Sequence, residues 1–336
     1  MAQRSELYSL VEPFGRPRRS RAVAELLETF IPYAALNVVM VMAVQRGHLA
    51  VALSLSVLAA AFLVRLFIIF HDCCHGSFFP SRRANRIVGY ITGLLTLTPF
   101  DQWQQSHAEH HATAGDLDRR GVGDVWTLTT DEYLAASRPK RLFYRVFRNP
   151  FIMFGIGPAI LFLFGNRVYG PGASKRERFS VLFTNAGIVA ALVVAYLTIG
   201  LSTLLWVQLP TTLLAGAVGV WLFYVQHQYE DVYWAHHEAW DPMRAALEGS
   251  SYYKLPKVLQ WFTGNIGFHH IHHLSSRIPN YALQQCMEEN PEFQNVTTIT
   301  LWSSLKSLRL NLWDEEQRQL IGFRHLKTAR RQRELA

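Results

Sequence analysis

The chain has 336 residues, half of them hydrophobic and only 17% charged, below the roughly 25% typical of soluble domains. Its net charge is +8, and three cysteines, Cys73, Cys74 and Cys286, make no disulfide framework, so reduced thiols on a cytosolic face are expected. A disulfide-stapled secreted domain is excluded, and so is an ordinary soluble one, because Phe179 to Tyr229 holds no Asp, Glu, Lys or Arg. That run is long enough for two membrane crossings of about 20 residues each.

In chain order, the basic stretch "GRPRRSRA" precedes a first apolar segment, expected to span from Thr29 to Gln45. A second span is expected over Leu49–Phe70. Arg65 lies inside it, where a long side chain is expected to snorkel to the interface. Directly after it, "HDCCH" sets His71 and His75 at i and i+4. Ile87–Phe100 is too short to cross and reads as an interfacial or re-entrant segment, as does Phe151–Phe164. Between them, "HAEHH" sets His107, His110 and His111 at i, i+3 and i+4. Two further spans, Phe183–Gly200 and Thr203–Val225, make a second hairpin, and His227 follows at once. In the more polar remainder, His269, His272 and His273 of "HHIHH" repeat the i, i+3, i+4 spacing.

The basic stretches "SRRANR", "DRR", "RPKRLFYRVFRN" and "SKRER" all fall between the two hairpins. By the positive-inside rule this region and both termini are cytosolic. The expected architecture is an all-α integral membrane protein of one domain, residues 1–336: two hairpins (29–45 with 49–70, 183–200 with 203–225) under a helical cytosolic cap, 71–180 and 226–336. Beside such spans, the basic N- and C-terminal clusters read as flanks attracted to anionic lipid and not as a nucleic-acid surface.

On a helix, residues three and four apart share a face. The three clusters therefore bring eight imidazoles to one membrane surface, too many for a single tetrahedral ion and suited to two metals. The topology delivers His227 to the same surface. His236 and His237 in "YWAHHEAW" are expected behind the ligands or facing solvent, and His48 and His325 stand alone. Asp72, Asp116, Asp118 and Asp124 are placed to accept ring N–H bonds and orient ligands, or equally to serve as caps and surface charges. Glu-x-x-His occurs nowhere, which argues against a carboxylate-bridged di-iron bundle.

These clusters resemble, in order, the histidine boxes HxxxH, HxxHH and HxxHH of the membrane fatty acid desaturases. The texts "HATAGDLDRRGVGDVWTLT", "QHQYED", "EGSSYYKLPKVLQWFTGNIGFHHIHHLS" and "RIPNY" are similar to the Δ12-like acyl-lipid branch, and the likeness runs from about Leu49 to Tyr281. The resemblance implies four membrane helices and two irons held by His71, His75, His107, His110, His111, His269, His272 and His273. His227 falls where the family has a histidine ahead of its third box, while His270 occupies a variable position. Iron over zinc also rests on the resemblance, since imidazole suits both.

The implied reaction uses O2 and two electrons to insert a cis double bond into a long acyl chain, lipid-linked rather than carried by CoA or a carrier protein. With no G-x-G-x-x-G fingerprint, no cysteine set for an iron–sulfur cluster and no cytochrome-b5-like segment, the electrons come from outside. A ferredoxin or cytochrome b5 type donor, steered by the basic surface, is expected. The expected location is a bacterial inner membrane. A hydroxylase or ketolase of the same superfamily, acting on acyl chains, carotenoids or alkanes, would share the first hydrogen abstraction and stays open. A membrane metal transporter is a more distant alternative, because its ligands belong near the bilayer midplane. "HEAWD" lacks the second histidine of a zinc protease motif.

Overall fold

The structure, a computed structural model, describes residues 2–326; most of the basic C-terminal cluster, from Lys327 onward, lies outside the described residues. A helix α1 (Ala2–Val11) leads to two long ones, α2 (Arg19–Gln45) and α3 (Leu49–His75). Then come α4 (Arg82–Leu95), α5 (Phe100–Thr113), α6 (Thr130–Ala135), α7 (Arg138–Phe147) and α8 (Gly157–Leu163). The second long pair is α9 (Lys175–Thr198) and α10 (Leu201–His227). Four short helices follow: α11 (Pro242–Leu247), α12 (Lys257–Phe262), α13 (His269–Leu274) and α14 (Asn280–Glu289).

The four long helices, α2, α3, α9 and α10, are long and apolar enough to cross a membrane. Their limits differ from those expected. The first begins at Arg19 and not Thr29, the second runs past Phe70 to His75, the third covers Lys175–Thr198, and the fourth ends at His227. Lipid selects only the apolar middle of a helix, whereas its hydrogen bonding continues through polar ends. A helix of 27 residues is about 40 Å long against roughly 30 Å of hydrocarbon. Both α3 and α10 thus exceed the apolar layer by about 10 Å, and His71, His75 and His227 stand in their last turns. At the far end, Gly200 turns α9 into α10 with φ +84°, a conformation that costs glycine little.

Among these helices α3 is the most enclosed, with α2 and α10 packed against it, and α9 the least. Leu182, Val189, Val193 and Leu197 of α9 stay exposed, an apolar surface of the kind lipid covers. Arg65 departs from expectation. It does not snorkel; it is 5% exposed, its guanidinium 2.9 Å from Glu25 on α2 and 3.1 Å from the Thr29 hydroxyl. It also donates to the Trp261 carbonyl and lies 4.0 Å from that indole's centre. Paired on three sides, the charge has no need to reach water.

The two shorter apolar runs do not make straight spans. The first becomes α4, with Ile87 and Ile91 exposed on one face and Gly89 and Gly93 buried on the other. In the second, α7 and Ile152–Arg167 meet at 63°, as in a re-entrant loop or a broken span. Among the described residues, the regular structure is otherwise helical except for two small sheets. In one, β1 (Leu128–Thr129) runs parallel to β4 (Leu312–Asp314), which pairs antiparallel with β5 (Gln319–Ile321). In the other, β2 (Tyr252–Lys254) runs parallel to β3 (Thr298–Thr300). Strands of two or three residues are too short to show an alternating pattern, so the sequence carried no sign of them.

Candidate metal centre

Four elements deliver the histidines to one place. The last turns of α3 supply His71 and His75, α5 supplies His107, His110 and His111, α10 ends on His227, and α13 supplies His269, His272 and His273. The start of α5 is pinned by Asp101, which accepts from Arg86 at 2.8 Å and from the Tyr90 hydroxyl at 2.5 Å on α4. The end of α10 is tied down through Gln226, whose side chain donates to the Ile266 carbonyl at 3.0 Å while its own carbonyl accepts from Ser251 N at 3.1 Å. Ile271 and Leu274 hold the short α13 in a core with Val11, Leu283 and Phe293.

The nine imidazoles fall into two groups, each with donor nitrogens within 4.8 Å of one another: His71, His75, His107, His111 and His272 in one, His110, His227, His269 and His273 in the other. The division cuts across the boxes, and helix geometry explains how. At 100° per residue, rings at i and i+4 point about 40° apart, whereas the ring at i+3 points about 60° from one and 100° from the other. The pairs His71/His75 and His107/His111 therefore stay in the first group, and the pair His269/His273 in the second. His110 and His272, at i+3, cross over to the opposite groups.

Partners on the far side of several rings fix their tautomers. His71 Nδ1 lies 3.0 Å from Asp72 Oδ1, His110 Nδ1 2.6 Å from Asp124 Oδ1, and His227 Nδ1 3.1 Å from the Gly249 carbonyl. Acceptors there oblige each Nδ1 to carry the proton and leave each Nε2 with a lone pair. Yet His110 Nε2 and His227 Nε2 face each other at 3.2 Å. Two lone pairs in contact repel unless a cation lies between them. His75 Nε2 and His273 Nε2 are buried without any partner. Burial, followed by the neighbouring imidazoles, pushes His107, His111, His269, His272 and His273 well below the usual histidine pKa, which keeps them neutral. Neutral, converging and orphaned nitrogens are the donor set a pair of metal ions requires, so the residues fit two metals.

Of the four candidate carboxylates, Asp72 and Asp124 face ligand-group histidines and the other two do not. Asp116 accepts from His237 Nδ1 at 2.7 Å, and Asp118 from His236 Nδ1 at 2.9 Å and His237 N at 2.8 Å. The reason is a backbone pairing: Leu117 N donates to the Ala235 carbonyl and Ala235 N to the Gly115 carbonyl, which turns both aspartates toward 236–237. His236 and His237 are half-exposed and belong to neither group, and His48 and His325 lie on the surface. His270 is buried but points away, its Nε2 3.1 Å from the Phe293 carbonyl.

Several contributing residues were not singled out in the sequence. Trp103 stacks on His107, centroids 4.2 Å apart, and Phe223 packs on His110 at 5.0 Å and His227 at 5.2 Å. Each stands four residues before a box histidine or His227, so the helical period was an available signal. Asn280 donates its N–H to Asp72 Oδ2 at 2.6 Å, and Gly249 offers only a carbonyl; neither had one. Gly123, at φ +71°, lets the loop bearing Asp124 lie on α5, since a Cβ there would sit 2.9 Å from His110 Cβ. A cavity of about 20 Å³, room for roughly one water, opens against the second group between His110, Asp124, Phe223, His227 and Trp234.

Long apolar helices whose ends converge on two histidine clusters that could hold metal ions define the class: a helical integral membrane protein with a candidate metal centre. The model of the family described as "Fatty acid desaturase" matches residues 47–302. A fatty acid desaturase of Bacillus subtilis is 50% identical over 325 residues, 97% of this chain and 92% of the relative. An sn-1 oleoyl-lipid 12-desaturase of Synechocystis is 26% identical over 66% of this chain and 63% of its own length. An oleoyl-12-hydroxylase of Ricinus communis is 28% identical over 65% and 60%. The protein belongs to the fatty acid desaturase family and is an oxidoreductase.

Proposed function

We propose that the protein inserts a cis double bond into a lipid-linked acyl chain, in the Δ12-like manner, at two irons. His71, His75, His107, His111 and His272 would hold one iron, and His110, His227, His269 and His273 the other. The observation that carries this reading is the pair of clusters itself, nine converging imidazoles in which the His110 and His227 lone pairs oppose each other. Bound iron would supply the O2 chemistry that breaking an unactivated C–H bond demands and that acid–base side chains lack. The chain's own contribution is positional. Asp72, Asp124 and the Gly249 carbonyl hold the rings in the ligating tautomer. Trp103 packs on the His107 ring and Phe223 on the His110 ring, which limits their rotation.

The electrons come from an external ferredoxin or cytochrome b5 type protein approaching the basic cap. In this reading the chain is one domain in a bacterial inner membrane, with the cap and both termini in the cytosol. The lipid-linked substrate is supported by the Synechocystis relative, named for an oleoyl lipid. Hydroxylation is the second reading, favoured by the Ricinus hydroxylase, which matches about as well as the desaturases of similar coverage. One experiment separates them. A bacterial host with only saturated and monounsaturated chains would express the protein with a ferredoxin, and double bonds would be located by mass spectrometry. A new double bond, absent with His272→Ala, is expected. A new alcohol would transfer the protein to hydroxylation, and an unchanged lipid profile from iron-loaded protein would remove the acyl substrate.

A further inference from the structure

Arg148 follows α7 and is 2% exposed, yet none of the five acceptors around its guanidinium is a carboxylate. One terminal nitrogen donates to the Trp126 carbonyl at 3.3 Å and to Thr127 Oγ1 at 3.1 Å. The other donates to the Tyr224 hydroxyl at 3.2 Å, Gln228 Oε1 at 3.1 Å and the Leu310 carbonyl at 2.7 Å. A buried cation among neutral acceptors is costly unless their dipoles are fixed around it. Here it lies beside the last turn of α10, the negative end of that helix.

Two of the attachment points are the informative part. Trp126 and Thr127 come two and three residues after Asp124, whose carboxylate orients His110. Tyr224 and Gln228 bracket His227 on the end of α10. His110 and His227 approach to 3.2 Å, although 117 residues separate them in the chain. We propose that Arg148 is a positioning residue for the four-histidine centre, clamping the loop that orients His110 to the helix end that carries His227. The proposal rests on the ligand set given above. A planar fork suits this task and an ammonium does not, because only the fork reaches both sides in fixed directions. The five-histidine centre contains neither His110 nor His227, so the clamp acts on one metal of the two.

The test is iron content and Mössbauer spectra of detergent-purified full-length protein, with folding followed by circular dichroism and thermal melting. Arg148→Gln is expected to keep one iron per chain and bind the second about 10–100-fold more weakly. Arg148→Lys, which keeps the charge, is expected to behave the same way. Gln228→Met leaves the guanidinium in place and is expected to weaken the same iron, which preserves the test if Arg148→Gln does not fold. His227→Ala separates this proposal from the ligand reading. If His227→Ala loses one iron while Arg148→Gln and Gln228→Met keep both at undiminished affinity, the clamp is overturned and the ligand reading stands. If His227→Ala keeps both, the ligand reading falls and takes the clamp with it. Full recovery by lysine would assign the effect to charge and overturn the clamp, as would parallel loss of both irons with a lowered melting temperature.

Discussion

A histidine binds metal only when its ring is neutral and turned the right way; burial supplies the first condition here, and acceptors beside the rings supply the second. Asp72 and Asp124 orient His71 and His110, and the Gly249 carbonyl orients His227. Burial has a consequence that can be measured on metal-free protein. The cap histidines His107, His111, His269, His272 and His273 have folded pKa values well below 6.5. As pH falls below about 6.5, the unfolded chain therefore takes up protons that the folded chain refuses. Stability should be independent of these groups above about pH 7.5 and fall progressively as the pH drops below about 6.5. Denaturation of metal-free protein in detergent at pH 7.5 and 5.5 checks this, and equal midpoints would mean that the rings titrate freely in the folded state. The aspartates were legible because they lie close in the chain to a box. Asn280, 208 residues from the Asp72 it supports, was not.

At the level of elements, helical periodicity accounts for most of what could be anticipated. It put the box histidines on shared faces, and carried further it would also have found Trp103 and Phe223 at i−4. What it left out is which helix lies opposite which. Arg65 looked like a snorkelling residue because nothing near it in the sequence can pair with it; Glu25 does so from 40 residues away. Removing one member of a buried pair strands the other. Arg65→Met or Glu25→Leu alone should therefore cost about 3–5 kcal/mol, and the two together should cost clearly less than either. Thermal melts of the three variants provide the comparison, and additive losses would show that the pair is not coupled.

For the whole molecule, the two histidine groups are where the long helices and the cap meet. Each group draws on at least three of α3, α5, α10 and α13. Metals that bind the folded form only should stabilise it by about 4 kcal/mol at a thousand times their dissociation constant. Dialysis against a chelator is expected to lower the Tm, and added iron to restore it. An unchanged Tm on metal removal would show that packing alone holds the four elements together.

The sequence by itself determined what is local or cumulative: four apolar stretches, the faces on which box histidines stand, and the surplus of imidazole over what one ion can take. These depend on hydropathy and on 3.6 residues per turn, which neighbouring residues settle among themselves. Only the tertiary structure decided how the nine nitrogens divide into five and four, that Asp116 and Asp118 turn to His236 and His237, and that Arg65 stays buried. Each of these depends on a partner brought from far along the chain. Such partners are chosen by packing between elements, and that is not encoded in the spacing of any one segment.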